Sequence, residues 1–271
     1  MIYYYSILIF IFGIIIGSFL SVVIGRLETG EPITFGRSQC PKCKKNIKYY
    51  DLVPLLSFVF LKGRCRDCQK KISLFYPFIE LVTGILFVAL FWRFWSGYFD
   101  SDFVLFFIIH LFILSSWVVV FFYDWFYTII PDKVVLPAIL ITFIIGVLNL
   151  ILKPINGIDI FIYNNNSIVP FILGIVIGGG FFLSLVLISR EKWMGWGDVK
   201  LGLLLGLVLG FPNILMALFF AFIIGSIYSL FMIGAKKKKI KDIIPFGPFM
   251  VMGGIITLFL GKWIWLWYLA V

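Results

Sequence analysis

Apolar residues in this chain neither alternate nor hold to one helical stripe; they run in long blocks. Eight blocks approach the roughly 20 residues that a bilayer-crossing helix needs. They are Tyr4–Ile24, Phe75–Trp95, Phe103–Tyr123, Val134–Ile151, Ile168–Ile188, Val199–Phe211, Ile214–Gly234 and Phe249–Leu269. Segments that are apolar all round predict helices enclosed by lipid or by other helices. A transmembrane barrel would show period-two alternation, so the expected fold is all-α and polytopic, with about eight transmembrane helices. The sixth block has 13 residues. It reaches only about 20 Å at 1.5 Å per residue, which predicts a tilted span completed by residues near Gly195.

Composition narrows the class. Of 271 residues, 62% are hydrophobic and 13% charged, against about 25% charged in an ordinary soluble domain. A soluble enzyme, a disordered chain and a secreted disulfide scaffold are excluded. The net charge of +10 could point to nucleic acid, but its distribution points to topology. Twenty of the 23 Lys and Arg fall in alternate loops, residues 25–74, 124–133, 189–200 and 235–248. That asymmetry puts those loops inside and the N-terminus outside, and leaves no call for a nucleic-acid partner. A re-entrant sixth block would send Lys236–Lys239 outside, so two crossings are expected between Asp198 and Lys236. The run Lys236–Lys241 reads as an inside anchor touching lipid headgroups. The first block lacks a preceding basic stretch and a small-residue cleavage site, so it reads as a retained anchor. Residues Asn156–Ser167, with their Asn tract, read as a solvated connector, and no internal repeat is read from the sequence.

The loop of residues 25–74 is the only sizeable water-soluble piece, and 50 residues bury little core of their own. It holds all four cysteines, as Cys40-Pro-Lys-Cys43 and Cys65-Arg-Asp-Cys68 with 21 residues between the pairs. Two CxxC pairs supply the four ligands of a structural tetrahedral zinc site and leave no open position for catalysis. Disulfides are the alternative, and a reducing inner face disfavours them. The basic flanks Lys42, Lys44, Lys45, Arg64 and Arg66 favour thiolates. The expected organisation is a first helix over residues 1–24, a zinc-stapled cytoplasmic domain over 25–74, and a membrane domain of about seven helices over 75–271.

Ionisable residues in or beside spans are functional candidates because burying them is costly. They are Glu80, Arg93, His110, Asp124, Asp132, Asp198 and Lys262. Arg93 and Lys262 lie close enough to the outer boundary to snorkel. His110 is 14 residues before Asp124, about 21 Å along a helix, and reads as an intramembrane hydrogen-bonding residue. Asp124 ends the third span and Asp198 begins the sixth, both at the inner side. Each could be a helix cap or an interfacial charge; together they could form a carboxylate dyad that activates water. Asp132, after Pro131, suits an N-cap. Gly195 and Gly197 bracket Trp196 and let the backbone approach another chain closely.

Taken together, these motifs resemble the type IV prepilin peptidases, GxGD-type aspartic membrane peptidases. The resemblance runs nearly end to end: GSFLSVVIGRL (Gly17–Leu27), the two CxxC pairs, ISLFYPFIELVTG (Ile72–Gly84), the block from Asp124 to Ile130-Pro131-Asp132, MGWGDVKLG (Met194–Gly202) and IPFGPFMVMG (Ile244–Gly253). Ser21 stands where the family usually has Asn, Gly25 where Tyr or His is common, and Phe75 where Arg is frequent. The resemblance implies catalytic aspartates at Asp124 and Asp198 and zinc at Cys40, Cys43, Cys65 and Cys68. It implies cleavage of a short basic leader from prepilins or pseudopilins at the cytoplasmic face of the inner membrane. Many members with the cysteine-bearing loop also methylate the new N-terminus with S-adenosylmethionine. Glu80, Gly195 and Gly197 are candidate substrate or cofactor contacts. Because a basic leader meets a basic inner face, approach is expected to be lateral through the bilayer, with Asp124, Asp198, Glu80 and either Glu31 or Asp51 supplying local negative charge. The alternative is a non-enzymatic scaffold or transporter with a zinc-bound knob.

Overall fold

The computed structural model describes residues 2–33, 36–95, 97, 101–152, 168–237, 239, 242 and 244–269, with Ser101, Asp102, Leu152 and Leu269 described by backbone alone. The expected connector Asn156–Ser167 lies outside the described residues, as does part of the run Lys236–Lys241. Helices dominate: α1 (Ile2–Thr29), α2 (Leu56–Phe60), α3 (Phe75–Phe94), α4 (Ser101–Tyr127), α5 (Asp132–Leu152), α6 (Ile168–Ser189), α7 (Trp196–Leu209), α8 (Asn213–Gly234) and α9 (Gly247–Leu269). A single 3-10 turn, Tyr49–Leu52, precedes α2. Among the described residues, seven of these helices are long and apolar enough to cross a membrane. The chain is therefore an all-α, multi-pass membrane protein.

The eighth expected span is α7. It has 14 residues, about 21 Å of helix, and begins at Trp196, beside the Gly195 expected to complete it. Leu201, Gly202 and every residue from Leu204 to Leu209 are buried. A short helix can stay apolar all round when protein rather than lipid surrounds it. α7 packs against α5, α6, α8 and α9.

The chain forms two compact units: residues 1–98 with 110–119, and residues 99–109 with 120–271. Each is built on close helix pairs with small residues at the crossing, the arrangement that lets apolar helices gain van der Waals contact without a hydrophobic drive between them. In the first unit, Gly13 and Gly17 of α1 meet α3. A Cβ on Gly13 would lie 2.7 Å from the Gly84 Cα, and one on Gly17 2.7 Å from the Glu80 Cα. In the second, Gly174 and Gly178 of α6 face Gly206 and Gly202 of α7, and a Cβ on any of the four would strike the opposing backbone. Gly253 of α9 meets the Ala217 carbonyl of α8 in the same way. His110 is buried beside the Phe94 ring, 5.5 Å between centroids. The Arg93 guanidinium lies over that same ring at 5.1 Å, and Lys262 is exposed.

Residues 25–74 contain a repeat that residue identity conceals. Residues 38–47 and 63–72 fold alike, 25 positions apart. Cys40 and Cys65 each donate an N–H to the carbonyl five residues on, and Lys44 and Gln69 each return one to the first cysteine. Lys44 and Gln69 both take positive φ, 59° and 55°. Isolated bridges Gln39–Asn46 and Arg64–Lys71 close the two loops, and Ile47 and Ile72 bond back to Ser38 and Gly63. The matching bonds, not the side chains, are the shared feature; only Cys, Lys and Ile recur.

Candidate active site and metal centre

The carboxylate site lies wholly in the second unit. Asp124 occupies the last turn of α4, a turn that ends where Thr128 takes φ 55° and donates its N–H to the Asp124 carbonyl at 2.8 Å. The Asp124 side chain is buried, 4% exposed. Its Oδ2 accepts the backbone N–H of Gly247, the first residue of α9, at 3.0 Å. Any side chain there would intrude, since a Cβ on Gly247 would lie 2.5 Å from that oxygen.

Asp198 is the third residue of α7. Its Oδ2 accepts the N–H of Gly195 at 3.2 Å, and its own N–H donates to the Gly195 carbonyl at 3.2 Å. The side chain thus satisfies a helix-start donor, the capping role the sequence allows. Capping does not remove it from Asp124: Gly197, next to Asp198, packs on Ile130, and Ile130 also meets Gly247, whose N–H bonds Asp124. Both helix ends deliver an acid to one site.

Ile130, buried in the α4–α5 connection, keys that site. A Cβ on Gly197 would lie 2.9 Å from the Ile130 Cβ, and one on Gly247 3.4 Å from its Cδ1. One side chain therefore packs against the glycine beside Asp198 and the glycine that holds Asp124. Gly195 is exposed and Gly197 half-buried. Asp132 stands apart as the first residue of α5. It takes the Lys200 ammonium of α7 with both oxygens, at 2.7 and 2.8 Å. Ile130 and Gly247 fall within motifs quoted above, Ile130-Pro131-Asp132 and IPFGPFMVMG, but neither motif gave them a role at the acids. The Lys200–Asp132 pair spans 68 positions and had no local signal either.

The cysteine centre lies in the first unit. The four thiol sulfurs sit within 4.8 Å of one another, and Cys40 Sγ to Cys68 Sγ is 3.9 Å. Tetrahedral zinc with 2.3 Å Zn–S bonds sets sulfur–sulfur edges of about 3.8 Å. No disulfide joins them. Burial pushes the Cys40 thiol up, but the backbone N–H groups of Cys43 and Lys42 together with the neighbouring Cys65 and Cys43 thiols bring it down to about 7. Cys43, despite the Lys45 backbone N–H that lowers it, is held up at about 11 by desolvation and the crowded thiols. The cluster could hold a metal such as zinc. Around it, Arg66 pairs with Asp51 at 2.6 and 2.9 Å, and Lys45 with Asp67 at 3.3 Å. The Asp51 charge, expected to stand free for a basic leader, is already taken. Arg66 holds its carboxyl below the usual range.

Glu80 of α3 is 7% exposed. Its Oε2 accepts the N–H of Leu55 at 2.8 Å. It borders a cavity of about 620 Å³ whose other walls include Ser21, Glu31, Cys40, Asp67 and Tyr76.

Residues 11–94 match the bacterial peptidase A24 N-terminal domain, and residues 111–230 match the type IV leader peptidase family. A prepilin leader peptidase/N-methyltransferase of Aeromonas salmonicida (strain A449) is 30% identical over 98% of this chain and 94% of its own length. The protein of that name in Bacillus subtilis (strain 168) is 31% identical over 94% of each chain. The chain belongs to the type IV leader peptidase family. A Legionella pneumophila relative of the same name is 29% identical over 96% of this chain and 93% of its own. No solved structure is significantly similar to the chain. Membership in this peptidase family makes the chain an enzyme, and the scaffold or transporter alternative is not favoured. Asp124 and Asp198 fall inside the leader-peptidase match, and all four cysteines and Glu80 inside the N-terminal one.

Proposed function

We propose that this protein removes the basic leader from type IV prepilins or pseudopilins, with Asp124 and Asp198 as its catalytic aspartates. The observation that carries the reading is the convergence of two carboxylates, from the end of α4 and the start of α7, on one site. Two such acids do not both ionise readily, so one keeps its proton. The ionised carboxylate takes a proton from water as the water oxygen bonds to the scissile carbonyl carbon. The protonated carboxyl gives its proton to the carbonyl oxygen. Collapse of the tetrahedral adduct then breaks the C–N bond: the carboxyl that took the water proton gives it to the departing nitrogen, which leaves as an amine, and the other carboxylate takes a proton back from a hydroxyl of the adduct. The pair titrates as a unit. The Gly247 N–H orients Asp124 and the Gly195 N–H orients Asp198, so neither acid must reorganise during the reaction.

The positive loops support an N-terminus outside, an active site at the cytoplasmic face and residence in the inner membrane. Lys236–Lys241 touches lipid headgroups, and no nucleic acid is a partner. Zinc is the metal of the four cysteines and acts as a crosslink, because four thiolates leave no position for water. The protein also methylates the new N-terminal amine. The cavity of the first unit is the candidate site for S-adenosylmethionine: its volume falls in the range of small-molecule sites, and acids (Glu31, Glu80) and bases (Arg26, Lys48) both line it, a mixture that suits a molecule carrying sulfonium and ammonium cations and a carboxylate. When bound, that cofactor supplies an electrophilic methyl group.

The test is to incubate the purified protein with a candidate prepilin, with and without S-adenosylmethionine, and weigh the products. Cleavage by the wild type and none by Asp124→Asn or Asp198→Asn is expected. Normal cleavage by either variant would end the dyad assignment. A mass gain of one methyl only with the cofactor present is expected for the second activity.

A further inference from the structure

We infer that residues 52–60 of the cysteine-bearing loop sit in the membrane, at the boundary between headgroups and acyl chains of an anionic bilayer. The stretch Leu52-Val53-Pro54-Leu55-Leu56-Ser57-Phe58-Val59-Phe60 carries no charge. Its large side chains face outward: Leu52, Val53, Leu56, Val59 and Phe60 are all exposed, the last two at 70% and 80%. Phe58 alone among its aromatics turns in, against Gly63. Water would meet a contiguous apolar patch of a kind soluble surfaces rarely show.

The height of this patch is set by one hydrogen bond. Leu55, held at φ 59°, gives its N–H to Glu80. Glu80 is five residues past Phe75, where α3 and its membrane-spanning stretch begin. At 1.5 Å per residue the loop is pinned about 7 Å inside that start. Interfacial segments bury their apolar faces to about 5–10 Å. Leu74, Phe78, Leu81 and Ile85 of the same stretch of chain are exposed too, so apolar surface continues along α3 toward the bilayer. The charges flanking the patch lie where headgroups would be: Lys48, Lys62 and Arg64 are exposed. Tyr49 and Tyr50 are exposed beside them, the residue type that favours the interface. On this inference the stretch departs from the expectation that all of residues 25–74 is bathed in water.

The test places a small fluorescent amino acid at Val59, and separately at Phe60, in the full-length protein. The protein is reconstituted in liposomes of phosphatidylethanolamine and phosphatidylglycerol without substrate. Lipids brominated on the acyl chain are expected to quench either label several-fold more than aqueous iodide does. The same label at Lys70, exposed on the cysteine loop, is expected to show the reverse order. Iodide-accessible labels at both Val59 and Phe60 would overturn the inference. So would labels that become shielded only when a prepilin is added, because the patch would then be a peptide dock. Neither result depends on cleavage, so failure here leaves the reading of Asp124 and Asp198 intact.

Discussion

The carboxylate site and the cysteine centre are built in opposite ways. Asp124, Ile130, Asp198 and Gly247 come from four places spread over more than 120 residues, and backbone amides and one apolar wedge hold them. The cysteine centre is made from two short copies of one local fold, whose four thiols converge within 4.8 Å of one another as a metal crosslink would require. A site made of distant parts is most sensitive to backbone spacing. A site made of local parts is most sensitive to its crosslink. The difference also separates the expected damage, because the two sites lie in different units.

Substitution at the acids themselves has the largest effect. Asp198→Asn is expected to abolish leader cleavage while leaving the metal content of the purified protein unchanged. Next comes Gly247→Ala, which changes neither acid. Its Cβ must displace the Asp124 carboxylate or shift α9, and misplacement by about 1 Å can cost on the order of 100-fold in rate. A fall in kcat at near-normal KM is expected; an unchanged kcat would show that the Gly247 amide does not position Asp124.

Chelation, or Cys65→Ser, tests the other region. It is expected to expose residues 25–74 to limited proteolysis and to end methylation before it affects cleavage. Metal analysis finding well under one zinc per chain in active protein would remove the crosslink. Gly206→Ala forces apart α6 and α7, and overpacking of this kind costs about 1–3 kcal/mol. A lowered melting temperature in detergent is the readout. The smallest effect is the pH response of Asp51. Its carboxyl is held low by Arg66 in the folded protein, so the pair's contribution is present above the unfolded value and fades as pH falls through the folded one. Arg66→Gln is expected to remove that acid-side slope and little else, since the Arg66 side chain is half exposed and solvent screens the pair.

Much of this was legible in residue order, and the reason differs by region. Spans are a property of contiguous apolarity, so α1, α3 and α8 appear where the blocks do. Ligand spacing within CxxC is local, so the centre could be read before any fold was known. The glycine pairs were also present in the sequence, four residues apart at Gly13 and Gly17, Gly174 and Gly178, and Gly202 and Gly206. They mark which helix faces meet but not which helices. Gly247 bonding Asp124, and Leu55 bonding Glu80, are backbone donors meeting distant carboxylates. No side-chain pattern encodes them. The 25-residue repeat escaped for a related reason: matching main-chain bonds tolerate almost any side chain between the cysteines.

That duplication has a consequence for how the loop comes apart. Each arm offers two thiolates, and two are too few to retain an ion alone. An ion bound there would therefore clasp both arms or neither. Its departure would release them in a single event, with no half-clasped form in which one arm stays shut.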